Sequence, residues 1–331
     1  MSTSPGTDQP ITPPESKPNK PWYRRKLFVA PAAGLATVIM ALTTVGLATG
    51  AASASTVNPY KGVTTHQRHG QDLRKVNVTI PSTRLPSLKV VHSASVLNTG
   101  SLASTNWSGY ADVACSTCSL RYVSADFTVP HLNTAKSLNN SWAAHWVGLD
   151  GVNNSTVEQV GIDTYVNNGQ DYYYAWYEMA PAATQVYSLA ASPGDNIQVS
   201  VYTVNGTYYL SLNDTTLGAG FNATATVPAG YTGQNKSAEV ITEAPSELMS
   251  DGSLVQLPLA DYGQVNYNSA TVTSHSGTHG GLGSSSLWSS YAIKMVSASG
   301  ATLSAPSGLL NGTNSSGIPV SDFTVGWRAA S

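Results

Sequence analysis

Residues 157–166 read VEQVGIDTYV, and residues 172–177 read YYYAWY. Both runs are rich in β-branched and aromatic side chains, and the sequence Asn167-Asn168-Gly169 lies between them. Two such runs separated by a short Gly-containing turn are typical of a β-hairpin. This stretch therefore predicts two neighbouring antiparallel strands.

Runs of the same kind recur between residue 105 and the C-terminus, and no stretch there has the 3.6-residue apolar period of a helix. Short strands broken by Gly, Asn, Pro and Ser predict an all-β domain, a lectin-like β-sandwich of two packed antiparallel sheets. The Ser- and Gly-rich stretch 274–286 is interpreted as a surface loop. The predicted strands are 122–129, 142–149, 157–166, 172–177, 197–204, 208–212, 219–227, 238–243, 288–295 and 323–327.

The N-terminus has the layout of an export signal. The basic stretch WYRRK at 22–26 precedes an apolar run at 27–49, and Ala52-Ser53-Ala54 follows as a small-residue exit. These three features predict a signal peptide within residues 1–54 and a secreted protein with no stable membrane association after cleavage. An uncleaved anchor is the alternative, because about 20 apolar residues can span a bilayer.

Charge is divided unevenly along the rest of the chain. Residues 55–104 contain six Lys and Arg against one Asp, a net charge of +5, whereas residues 105–331 contain five against fifteen Asp and Glu, a net charge of −10. We predict that 55–104 is a basic propeptide that covers the acidic domain, as in a zymogen. A basic linker near a charged cell surface is the alternative. The acidic domain is compatible with work at low pH and lacks the basic stripe that a nucleic-acid partner would require.

The cysteines and histidines favour structural roles. Cys115 and Cys118 are expected to pair after export, as a hairpin-tip disulfide that contributes little to stability because its loop is short. A zinc site would need four ligands, and His275 and His279, in TSHSGTHGG, are interpreted as loop histidines. His145 stands alone in a predicted strand and is interpreted as structural. No metal and no cofactor are expected.

Strand alternation places polar side chains on shared faces. Glu239 and Glu243 share one face of their strand, and Gln159 and Asp163 share one face of theirs. A face with carboxyls, a glutamine and nearby tryptophans would be a poor core, because burying an unpaired polar group costs several kcal/mol. We interpret it as a partly wet cleft; a solvent-facing sheet with scattered charges is the alternative.

Six motifs, in this order and on predicted strands, resemble the glutamic peptidase (eqolisin) family between residue 106 and about residue 264. They are NWSGY at 106–110, SADFTVP at 124–130, WVGLDG at 146–151, QVGID at 159–163, AWYEMAP at 175–181 and AEVITE at 238–243. The resemblance implies a metal-independent endopeptidase that acts on proteins or peptides. One position departs from the pattern: Tyr174 stands where the family commonly has an aspartate, so an inactive family member is an alternative.

The resemblance also implies the site residues. The catalytic pair is Gln159 and Glu243, and the supporting cleft residues are Trp107, Trp146, Asp150, Asp163, Trp176 and Glu178. Glu243 would take a proton from water and return one to the leaving amine, while Gln159 would donate to the oxyanion. We therefore predict a secreted, acid-active endopeptidase domain at 105–331, expected to be a monomer.

Two other functions fit the same fold class. A carbohydrate-binding β-sandwich would also present tryptophans and tyrosines on a sheet, and a glycoside hydrolase could use two carboxyls such as Glu178 and Glu243. Fold alone does not separate these functions. Neither explains why Gln159 and Glu243 lie within the six motifs.

Overall fold

The computed structural model describes residues 75–76, 89–93, 99–250, 253–284 and 286–331. All of them belong to one compact unit, Gly62–Ser331. The predicted signal peptide and most of the predicted propeptide lie outside the described residues.

The described residues form 21 strands and no helix, which confirms the all-β prediction. Consequently no described segment is a helix able to cross a membrane. The strands are β1 (Lys75–Val76), β2 (Lys89–Ser93), β3 (Thr99–Ser104), β4 (Trp107–Ala114), β5 (Leu120–Thr128), β6 (Ser141–Leu149), β7 (Val157–Asn167), β8 (Gln170–Ala180), β9 (Gln185–Tyr187), β10 (Asn196–Val204), β11 (Thr207–Asp214), β12 (Ala219–Ala225), β13 (Ser237–Glu243), β14 (Ser246–Leu248), β15 (Leu254–Gln256), β16 (Gln264–Ser274), β17 (His279–Gly280), β18 (Trp288–Val296), β19 (Thr302–Pro306), β20 (Leu310–Thr313) and β21 (Pro319–Trp327).

The ten predicted strands all occur, with bounds that differ by a few residues. Their faces follow the alternation of the sequence: in β10, Ile197, Val199 and Val201 are buried, while Gln198 between them is exposed. The alternation is absent from β6 and β13, because hydrophobic clusters cover both faces of these strands. Val147 and Val240 belong to one cluster, and Trp146 and Ile241 belong to the other.

Most strands belong to two runs of antiparallel neighbours. The first sheet has the order β9-β8-β7-β6-β13-β4-β18. The second sheet has the order β12-β11-β10-β5-β16-β21. Strand β19 pairs with both β18 and β21 and so links the two runs. An exception to the antiparallel prediction is β3, which pairs parallel with β18.

The main hydrophobic core is shared by the two sheets. Val147 and Ile162 of the first sheet and Val199 and Leu212 of the second belong to the same buried cluster. A smaller cluster lies on the opposite face of the first sheet and contains Trp107, Trp146 and Trp176. We call this second surface the tryptophan face; it carries the candidate site.

The disulfide predicted between Cys115 and Cys118 is present, with their Cα atoms 4.9 Å apart. The expectation that it closes a hairpin tip is wrong. It lies between β4 and β5, and these strands belong to different sheets and pair with other partners. The bond therefore sits in a turn that connects the two sheets. Lys236 Nζ donates to the carbonyl oxygens of Ser116, at 3.1 Å, and of Cys118.

Three described pieces of the basic segment pair with the domain or with each other. β1 pairs with β9 at the edge of the first sheet, and β2 pairs with β3. Lys75 Nζ donates to the hydroxyl of Tyr177 at 3.0 Å and lies 5.1 Å from the centre of that ring. At least these parts of residues 55–104 are thus integrated into the sheet of the domain.

Candidate active site

The centre of the site is the carboxyl group of Glu243, at the end of β13. Asn106 Nδ2 donates to Glu243 Oε1, and Trp146 Nε1 donates to Glu243 Oε2, both at 3.1 Å. All three side chains are fully or almost fully buried. Two donors aimed at the two oxygens favour the ionised form of the carboxyl group.

Gln159, on β7, is also held by a side-chain hydrogen bond. It lies directly opposite Glu178 of β8, and its Nε2 donates to Glu178 Oε2 at 2.8 Å. The other carboxyl oxygen of Glu178 accepts from Thr184 Oγ1 at 3.0 Å. The carboxyl group therefore fixes the direction in which the glutamine amide points.

Trp146 lies between Gln159 and Glu243. On β6, Gly148 pairs with Gln159 of β7, and Ala144 pairs with Glu243 of β13. Trp146 lies midway between Ala144 and Gly148 on the same face of β6. A Cβ atom on Gly148 would lie 3.0 Å from Trp146 Cζ3 and 3.2 Å from Gln159 Cβ. The Trp146 ring and the Gln159 side chain thus border the space above Gly148.

Gly161, the central residue of the QVGID motif, makes this arrangement possible. It lies opposite Trp146, and a Cβ atom there would be 2.6 Å from Trp146 Cβ and 2.2 Å from the carbonyl oxygen of His145. No side chain fits in that space. Trp107 packs edge-on against Trp146, with ring centroids 4.9 Å apart.

The sequence matches one known family over most of the domain. The model of the Peptidase A4 family matches residues 105–305. The chain belongs to the Peptidase A4 family. It is therefore a peptidase of the glutamic type, a hydrolase.

The chain is also similar in sequence or in fold to three peptidases that have been described individually. It is 30% identical over 200 residues to Aspergillopepsin-2 of Aspergillus niger, covering 54% of this chain and 67% of that protein. Scytalido-glutamic peptidase, solved with a transition state analog inhibitor, shares the fold with a TM-score of 0.56 at 24% identity. SCP-B, an eqolisin solved with the tripeptide Ala-Ile-His, has a TM-score of 0.53 at 22% identity. Each alignment covers 68% of this chain and 98% of the other.

Two more predicted site residues of the A4 peptidase lie on the tryptophan face. Asp163 is buried opposite Ala144 on one side and Tyr174 on the other. Burial raises the pKa of Asp163 well above its usual range, and the neighbouring Glu178 carboxyl adds to the shift. Trp176 lies opposite Gly161 and is almost fully buried.

Asp150, directly after β6, binds two neighbouring segments of the chain. Its carboxyl group accepts from the backbone N–H groups of Gln234, Asn235 and Lys236 at 2.7–2.9 Å and from Asn154 Nδ2 at 2.7 Å. Burial raises the pKa of Asp150, and these four hydrogen bonds oppose that effect. The residue anchors the loop after β6 to the segment before β13.

A group of buried carboxyls accompanies the site in the first sheet. Burial raises the pKa of Asp112 to about 7 and that of Glu158 to about 9, with the Asp150 charge adding to the second shift. Glu239, predicted to share a face with Glu243, is completely buried, and its pKa lies well above the usual range for the same reason. These groups are neutral in acid, and Glu158 and Glu239 also resist ionisation at neutral pH.

His145 has structural surroundings, whereas one of the two predicted loop histidines, His279, lies in a strand. His145 is buried behind the tryptophan face, where Nδ1 lies 3.1 Å from Thr242 Oγ1, and burial lowers its pKa to about 3. His275 follows β16, while His279 lies in β17 and its Nδ1 is 2.9 Å from Thr273 Oγ1. The predicted loop 274–286 thus contains one short strand. Within the described part of the chain, no three His, Cys, Asp or Glu are arranged to hold a metal ion.

Sequence reasoning missed three residues that hold the central side chains: Ser104, Asn106 and Thr184. Asn106 is part of the NWSGY motif, but it is 137 positions from Glu243. An asparagine next to a motif tryptophan was the available signal. Its partner was not identifiable until the pairing of β4 with β13 was known.

Proposed function

We propose that the protein is a secreted, acid-active endopeptidase that uses Glu243 and Gln159 to hydrolyse peptide bonds. The observation that carries the proposal is the pair of hydrogen bonds to the two Glu243 oxygens, from Asn106 and Trp146. It is supported by Gln159, which is oriented by Glu178 on the same face of the sheet.

Glu243 serves as general base and general acid. Two donors favour its carboxylate form, and in that form it can accept a proton from water. The protonated form then returns that proton to the leaving nitrogen. No covalent intermediate is needed, because the attacking group is water.

Gln159 stabilises the oxyanion. An amide nitrogen carries two hydrogens, and one of those on Nε2 is directed to Glu178. The second hydrogen donates to the oxygen on which negative charge develops. A donor of this kind contributes about 3 kcal/mol to the stability of the transition state. Because an amide is neutral at all working pH values, acid does not weaken it.

The complete burial of Gln159 and Glu243 fits a latent form of the enzyme. We propose that the basic segment 55–104 closes the cleft of the acidic domain. On acidification the domain loses negative charge while His66, His69 and His92 gain positive charge. The attraction then weakens, and the segment is released and cleaved.

The remaining proposals concern architecture and location. The two sheets, with their shared core, form a lectin-like β-sandwich within residues 105–331. Residues 1–54 act as a signal peptide that sends the protein out of the cell. The active form is a monomer with protein or peptide substrates.

The central test is digestion of a denatured protein at pH 3–4 in the presence of pepstatin, after acid activation of the full chain. Wild type is compared with Glu243→Gln and Gln159→Ala. We expect no cleavage by the first variant and a 10²–10³-fold loss of kcat in the second. Wild-type activity in Glu243→Gln would overturn the assignment. Latency is tested separately: deletion of residues 55–98, which leaves β3 and Ser104 in place, should give activity without acid pretreatment or reduce the yield of folded protein.

A further inference from the structure

A short segment at the start of β4 reaches back to Glu243. Asn106 donates through Nδ2 to Glu243 Oε1 at 3.1 Å, and its backbone carbonyl accepts from the N–H of Ala244 at 2.8 Å. The same residue thus contacts the Glu243 side chain and the backbone of the next residue. This double contact fixes Asn106 relative to the end of β13.

Ser104, the last residue of β3, determines how the Asn106 amide points. Its Oγ donates to Asn106 Oδ1 at 3.0 Å and accepts from the backbone N–H groups of Asn106, at 3.2 Å, and Trp107, at 3.0 Å. With Oδ1 bound to the hydroxyl, the Nδ2 group is directed at the carboxyl. Ser104 and Asn106 are each 1% exposed, so bulk water does not compete for these bonds.

We propose that Ser104 and Asn106 are positioning residues that keep Glu243 ionised and oriented in acid. The inference rests on the proposed function, in which the Glu243 carboxylate is the general base. A hydrogen bond donated to the charged form of a carboxyl group favours that form. Loss of the Asn106 donor therefore makes Glu243 easier to protonate, and the enzyme loses its base at a higher pH than wild type does.

If Ser104 orients Asn106 in the active enzyme, the propeptide must end before Ser104. Ser104 is the last residue of the predicted segment 55–104, so a cut after it would remove the hydroxyl that orients Asn106. β3 is also paired with β18 along its whole length, from Thr99 to Ser104. The active enzyme therefore retains Ser104, and the maturation cut lies N-terminal to it.

The experiment measures kcat/KM from pH 2 to pH 6 on a quenched peptide, with the full chain activated in acid. The variants are Asn106→Ala, Ser104→Ala and Ser104→Thr, the last of which keeps a hydroxyl group. The matched control is Thr203→Val, which removes a part-buried hydrogen bond to the carbonyl of Thr207 in the second sheet. Melting curves identify any variant that fails to fold, and mass spectrometry gives the N-terminus of the active species.

We expect the acid limb of the profile to move up by about one pH unit in Asn106→Ala, with roughly tenfold lower activity below that limb and recovery above it. Ser104→Ala should shift in the same direction, while Ser104→Thr and Thr203→Val keep the wild-type limb. An unmoved acid limb in folded Asn106→Ala and Ser104→Ala, or an active species that begins after Ser104, would overturn the inference. Glu243→Gln distinguishes failure of the proposed function from failure of this inference. If Glu243→Gln stays active, the proposed function is wrong. If Glu243→Gln is inactive but the acid limbs of Asn106→Ala and Ser104→Ala do not move, only the positioning role is wrong.

Discussion

Gln159 and Glu178 face each other across β7 and β8, and the glutamine Nε2 lies 2.8 Å from Glu178 Oε2. Because Thr184 binds the other oxygen of Glu178, the carboxyl group cannot turn freely. The orientation of the proposed oxyanion donor is therefore set by a residue that need not touch the substrate.

The first prediction follows from this pair. Glu178→Ala should lower kcat by about 10–100-fold and change KM by less than about threefold, because only the alignment of the Gln159 donor is lost. Thr184→Val should have a smaller effect in the same direction. The control is Gln264→Ala, which removes an exposed hydrogen bond to Asn266 in the second sheet. Steady-state kinetics on one peptide check this, and an effect confined to KM would contradict it.

The second prediction concerns stability against pH. Asp112, Glu158 and Glu239 all have pKa values raised by burial, so the folded state holds their protons more tightly than the unfolded chain does. Below about pH 4 these carboxyls are protonated in both the folded and the unfolded chain, so they do not lower the free energy of unfolding. Above about pH 4 the free energy of unfolding falls, up to about pH 7 for Asp112 and up to about pH 9 for Glu158. Each group lowers stability by up to about 1.4 kcal/mol per pH unit within its window.

The melting temperature should therefore be higher at pH 4 than at pH 7. Asp112→Asn, which removes the ionisable group and keeps the size, should flatten this dependence and melt above wild type at pH 7. Asp171→Asn is the matched control, because this carboxyl lies on the exposed end of β8. If the melting temperature of wild type rises between pH 4 and pH 7, the buried carboxyls do not control the pH dependence of stability.

The third prediction concerns the disulfide. Only two residues separate Cys115 from Cys118, so breaking the bond frees little chain entropy, about 2 kcal/mol from loop closure. The double substitution Cys115→Ser with Cys118→Ser should lower the melting temperature by no more than about 8 °C in a domain of this size. Activity at 25 °C should stay at the wild-type level. Thermal unfolding with and without reductant provides the check, and loss of folding would contradict the small role.

The fourth prediction concerns the aromatic end of the tryptophan face. Trp142 is stacked on Tyr165, with centroids 4.0 Å apart, and lies nearly parallel to Tyr174 at 6.1 Å. If these rings receive a bulky substrate side chain, Tyr174→Ala should lower kcat/KM about 2–10-fold for peptides with Phe near the cleaved bond, because an aromatic pair contributes roughly 0.5–1.5 kcal/mol. Peptides with Ala at that position should be cleaved as by wild type.

Two variants complete this test. Tyr174→Phe keeps the ring and should behave as wild type, whereas Tyr209→Ala removes an exposed ring from the second sheet and should change neither substrate. Equal losses on both peptides would indicate damage to the fold instead of a lost contact. Cleavage by wild type would in addition exclude the alternative that Tyr174 makes this family member inactive.

The amino-acid sequence by itself determined the all-β class, ten of the strands, and the faces shared by Gln159 with Asp163 and by Glu239 with Glu243. The physical reason is that side chains alternate along a strand with a period of two, so the order of residues specifies the face directly. Strand β16 escaped prediction because polar residues interrupt it and a bulge lies between Tyr267 and Ala270.

Tertiary structure alone decided which strands became neighbours. Alternation specifies a face but not the adjacent strand, because pairing depends on the packing of segments that are distant in sequence. Asn106 meets Glu243 only because β4 pairs with β13. Asp150 binds the backbone of residues 234–236, and Cys115–Cys118 connects two sheets, for the same reason. Short motifs predicted which side chains belong to the candidate site. The pairing of strands that are distant in sequence decided which residues those side chains bind.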